Sequence, residues 1–209
     1  MKPIPQTIAL LSLSSLPILA GVARLSEMGT GAPAMEATIA SANMPTGLAL
    51  HIIAASVFLI LGAVQFLPAT RRTLWHKRAG RLAIAAGLLG AMTGGILAAT
   101  LSVGPTSGPL LVPQRIVFSL LWAVALLLGL ASVLRANTKA HRAWMIRGYA
   151  IGAATGLQSL ILLPWFFMFG VPSGLPSDLV MLASWLIALA LAEIVIRRPA
   201  PLAKRPNPG

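Results

Sequence analysis

The chain contains three histidines, His51, His76 and His141, and no cysteine. Imidazole changes charge near pH 6.5 and, when neutral, ligates metals. Proton, metal and haem chemistry are therefore open, while disulfides, iron–sulfur clusters, thiolate sites and cysteine nucleophiles are not. His51 and His76 lie about 25 residues apart, or about 37 Å along a continuous helix, too far to share one ion. His76 and His141 face no such bar. A b-haem would take both as neutral ligands, with Arg81 and Arg147 bonding its propionates beside Trp144. The competing reading is structural, with these histidines and arginines set against lipid phosphates and loop carbonyls.

A second group lies deeper in apolar sequence. His51, Phe58 and Gln65 recur at seven-residue spacing with Ala55 and Gly62 between them, which puts one stripe on one helix. Arg115, Ser119 and Trp122 share a face of another, and Arg147, Thr155 and Gln158 one side of a third. An ionised side chain at the bilayer centre costs roughly 2.5–3.5 kcal/mol, so such residues turn inward. His51, Gln65, Arg115 and Gln158 thus form an expected polar interior that suits a small-molecule or proton path. Duller readings stand beside it. Arg115 snorkels to head groups, Gln65 and Gln158 bond neighbouring helices, and Glu193 pairs with Arg197 one turn on. The eight methionines show no ligand-like cluster, and no metal site is expected.

The elements that must position these residues are apolar helices. Of the 209 residues 57% are hydrophobic and 10% charged, too few charges to cover a water-facing surface. Apolar runs of about 20 residues, the length that crosses a bilayer, recur six times. The expected class is all-α, a polytopic membrane bundle. Residues 1–24 form the first transmembrane helix or, alternatively, a signal peptide. Residues 25–46 make an outer loop with a short surface helix near Ala34–Ala42. Residues 47–198 hold a five-helix core, with helices near Gly47–Leu67, Leu82–Ser102, Gln114–Leu134 and Ala143–Phe169, then one capped by Ser177 or Asp178 and ending at Arg197. Residues 199–209 read as a disordered tail.

Of 16 basic residues, 14 fall at one set of helix ends, with only Arg24 and Arg115 at the other. The positive-inside rule then places both termini in the cytoplasm, in a cell (inner) membrane. The net charge of +12 serves orientation and contact with anionic lipid head groups rather than nucleic acid. Small-residue ridges at four-residue spacing, Ala86-Gly90-Gly94-Ala98 and Gly148-Gly152-Gly156, predict close helix packing around the helices that carry them, or a homodimer contact.

Three blocks combine into a recognisable pattern. They are His51 through Gln65 to Pro68, then Trp75-His76-Lys77-Arg78-Ala79-Gly80-Arg81, and His141-Arg142-Ala143-Trp144-Met145-Ile146-Arg147. The chain resembles the prokaryotic membrane proteins of domain-of-unknown-function family 2306 across roughly His51–Gln158. Lys77 and Gln158 depart from that pattern, where arginine is expected. The resemblance implies that His51, Gln65, His76, Arg81, His141, Trp144 and Arg147 belong to a shared core, and it implies no particular activity. A looser, architectural likeness is to b-type membrane cytochromes. No enzymatic signature is present; any chemistry would be membrane redox. The leading specific reading is haem or another redox cofactor on His76 and His141. The alternatives are a carrier lined by His51, Gln65 and Arg115, and a non-catalytic scaffold.

Overall fold

The computed structural model describes residues 3–30, 45–70, 73–100 and 107–198. Six helices account for nearly all of them: α1 (Pro3–Thr30), α2 (Pro45–Gln65), α3 (Leu74–Thr100), α4 (Leu111–Leu134), α5 (Thr138–Phe169) and α6 (Leu175–Arg197). All six are long and apolar enough to cross a membrane. A helix satisfies its own backbone groups where no water can, so apolar runs of this length fold this way. Large apolar side chains such as Leu120, Leu127, Leu163 and Leu186 stand exposed around the outside, as lipid contact requires.

Two helices begin earlier than their apolar runs. The Thr73 hydroxyl accepts the His76 amide at 3.1 Å and starts α3 in the basic stretch, so His76 to Arg81 are helical rather than loop. The Asn137 side chain accepts the Ala140 amide at 3.0 Å and starts α5 at Thr138. Side-chain caps nucleate a helix in water before its greasy part begins. Similarly, α1 runs through Arg24 and Glu27, paired at 2.7 Å one turn apart, into what reads as the outer loop. The expected surface helix at Ala34–Ala42 and the tail at 199–209 lie outside the described residues.

Consecutive helices pack side by side, and α5 is the hub, touching α1, α2, α4 and α6. The sequence puts α3 near the centre too, and α3, packed between α2 and α4, is the most deeply buried of the six spans. Aromatic rings fill notches left by glycine. A Cβ on Gly62 would lie 2.7 Å from the Tyr149 ring, one on Gly152 2.8 Å from Phe58, and one on Gly90 3.0 Å from Trp122. Phe58 meets Trp122 edge-on at 5.1 Å, and Tyr149 meets Phe66 at 5.3 Å. The glycines of both small-residue ridges therefore pack against neighbouring helices of the same chain. Helix α1 joins through Ser14, whose hydroxyl lies 3.1 Å from that of Tyr149. Gly156 comes so close to the Leu13 carbonyl that no side chain fits between them.

Candidate functional site

A cavity of about 550 Å³ opens between the helices at the end opposite the arginine-rich one. Helix α2 brings His51 to it, α4 brings Arg115 and Ser119, and α5 brings Gln158 and Thr155. Phe118, Trp122 and Trp185 supply much of its apolar wall, the first and last stacked at 4.2 Å. Three of the four residues expected to form a polar interior thus meet on one cavity. Gln65 does not. It sits at the far end of α2 against Gly80, its Nε2 buried with no partner among the described residues.

Packing against α3 orients the His51 ring. Its Nδ1–H donates to the Gly90 carbonyl at 3.0 Å and, more weakly, towards Thr93 Oγ1 at 3.2 Å. A carbonyl only accepts, so Nδ1 carries a proton, and in the neutral ring Nε2 is the acceptor nitrogen. The Thr93 hydroxyl donates in turn to Leu89 O at 2.7 Å. The small residue Gly94 allows this approach, since a Cβ there would lie 3.0 Å from the imidazole. Arg115 is open to the cavity and makes no hydrogen bond or ion pair with any described residue.

Asp178 does not cap its own helix as the sequence suggests. It is fully buried, accepting the Leu110 amide at 2.8 Å and the Gly108 amide at 3.3 Å. These are amides at the start of α4, which no other side chain caps. The turn before α6 allows it, because Gly170 and Gly174 take positive φ of 77° and 62°, a region open to glycine.

The arginine-rich end holds the other expected residues. Arg147 donates from Nε to Glu193 at 2.6 Å and from an Nη at 3.2 Å, a two-point grip between α5 and α6. Its guanidinium lies 4.7 Å from the Trp144 ring centre. Glu193 is therefore held chiefly by Arg147, and the expected Arg197 pair is the longer contact at 3.8 Å. His141 Nδ1–H donates to the Gly129 carbonyl near the end of α4 at 2.8 Å. His76 is half-buried on the first turn of α3, and Arg81 is exposed one turn on. Neither the cavity at the other end nor a second one of about 400 Å³ against Trp75 and Arg78 is lined by His76 or His141. No group of three or more metal-ligating side chains occurs among the described residues.

Sequence reasoning passed over Thr93 and Trp185. Thr93 carries a usable signal, as a lone hydroxyl within an apolar run of α3. Trp185 carries none, since only the fold stacks it on Phe118. A family model described as "Predicted membrane protein (DUF2306)" matches residues 48–196, more than two thirds of the chain, which spans both ends of the bundle. No curated protein and no solved structure gives a significant match.

Proposed function

We propose that this chain, which belongs to the DUF2306 family of predicted membrane proteins, is a carrier that binds a small molecule in the cavity framed by His51, Arg115 and Gln158. One observation carries the reading: three polar side chains from three helices, far apart in sequence, converge on a single opening among apolar spans. Such groups are costly in lipid unless something polar answers them, and an opening of this size suits a small ligand. The absence of native cysteine makes the test clean. A Ser119→Cys variant in vesicles should react with N-ethylmaleimide, and a membrane-impermeant maleimide should reach it from one side at a time. A thiol inert in folded protein would end this reading.

A redox reading on His76 and His141 has one point in its favour. The His141 Nδ1–H bond to Gly129 leaves Nε2 to face a metal, the arrangement that ligating histidines use. The cavities give it no support, because neither borders these histidines. A Soret band in protein from haem-replete cells, lost in His141→Ala, would restore it. We further place the arginine-rich end at the cytoplasmic face of an inner membrane, its cations against anionic head groups. Reporter fusions after Arg198 test that side.

A further inference from the structure

The three acids among the described residues are already engaged. Glu27 holds Arg24 at 2.7 Å. Asp178 is fully buried on the Gly108 and Leu110 amides. At the other end Glu193 holds Arg147. Arg115 is left with longer-range attraction to Asp178 and repulsion from any charge on His51. Its planar fork of donors is best met by a group with two coplanar oxygens, and a carboxylate supplies two parallel, charge-assisted bonds. Gln158 and Ser119 add neutral hydrogen-bonding groups on the same wall, while Phe118, Trp122 and Trp185 supply apolar surface.

We propose that the cavity binds a monocarboxylate with a single apolar tail, its carboxylate on Arg115 and its tail along Phe118, Trp122 and Trp185. This assignment rests on the cavity reading above and names its ligand class. A phospholipid also presents an oxyanion head. The space of about 550 Å³ holds one tail more readily than two, and a flat guanidinium matches a flat carboxylate, so the single-chain acid is preferred.

The test uses full-length protein in phosphatidylcholine nanodiscs and a dodecanoic acid carrying a terminal diazirine. After irradiation, adducts should map to peptides containing Trp122 or Trp185. Decanoate should compete, and decanol, which has the tail without the charge, should not. Arg115→Gln should cut labelling roughly tenfold to a hundredfold, the loss of a charge-assisted bond. Arg115→Lys should keep part of it, and the distant, exposed Lys139→Gln should keep it all. Equal competition by decanol, or undiminished labelling in Arg115→Gln, overturns the proposal. So does stronger competition by decyl phosphate, which would reassign the head as phosphate. If Arg115→Gln fails to fold, the decanoate–decanol contrast on the native chain decides. Alkylation of Ser119→Cys separates the two levels. A reactive thiol without carboxylate labelling sinks only the ligand class, whereas an inert thiol sinks the cavity reading itself.

Discussion

Both ends of the bundle carry histidine, arginine and acid, and both hold an ion pair, Arg147–Glu193 at one end and Arg24–Glu27 at the other. At the cavity end, however, a second arginine, Arg115, has no carboxylate of its own among the described residues. At the arginine-rich end Arg147 grips Glu193 at two points and lies over Trp144, while His141 donates to Gly129. These bonds tie α4, α5 and α6 together. At the opposite end the histidine is likewise anchored, on Gly90 and Thr93, but Asp178 is taken by backbone. It satisfies the amides that open α4, and Arg115 faces a cavity instead. The same residue types make a clasp in one place and a receptive surface in the other. What decides between them is where the carboxylate goes.

Moving a carboxylate should break this contrast, most strongly at Asp178. Asp178→Ala would strand two part-buried amides at the start of α4. A buried group left unsatisfied costs about 1–3 kcal/mol. Because these two amides keep some access to solvent, the lower part of the summed range, a loss of about 2–4 kcal/mol, is expected, read as a lower Tm in mild detergent. An unchanged Tm would mean that water or another group already serves those amides. The effect should be smaller at the other clasp. Glu193→Ala removes an ion pair whose side chains are 33% and 28% exposed, which discounts it to about 1–2 kcal/mol. A double-mutant cycle with Arg147→Gln should show positive coupling, and additive losses would deny the pair. Below that, His141→Phe gives up one hydrogen bond to the Gly129 carbonyl, about 1 kcal/mol. A far larger loss, or a lost absorption band, would argue for a bound cofactor there.

The six spans were legible because a bilayer imposes length and apolarity on each helix by itself. The stripe that carries His51 was legible for the same reason, since periodicity assigns a face within one helix. Partners were not. Arg147 and Glu193 lie 46 positions apart, and Asp178 and Leu110 lie 68 apart. Nothing local distinguishes Arg147 from Arg197 as the mate of Glu193, and the nearer residue is the natural guess. Gln65 and Gln158 looked alike in sequence, yet only Gln158 reaches the cavity, because α2 carries Gln65 to the other end. Helix starts were misjudged wherever a polar cap such as Thr73 or Asn137 begins the helix in water ahead of the greasy run.

The finest probe of the contrast is the substitution with the least effect on stability. Arg115→Gln removes a charge that no described residue answers with a hydrogen bond or an ion pair, so little native bonding is lost. What disappears is the cost of holding a guanidinium on the wall of a cavity that is otherwise largely apolar, offset by some loss of long-range attraction to Asp178. The two effects oppose each other, and the net change in unliganded protein should lie within about 0.5 kcal/mol, the range of positions without a structural role. Arg147→Gln, the same chemical change at the other end, should destabilise by more, because Glu193 is left without its principal partner. Comparing the two Tm shifts under one set of conditions removes any general effect of lowering the net charge. If Arg115→Gln proves as damaging as Arg147→Gln, then Arg115 is held by the fold itself, and the two ends are alike after all.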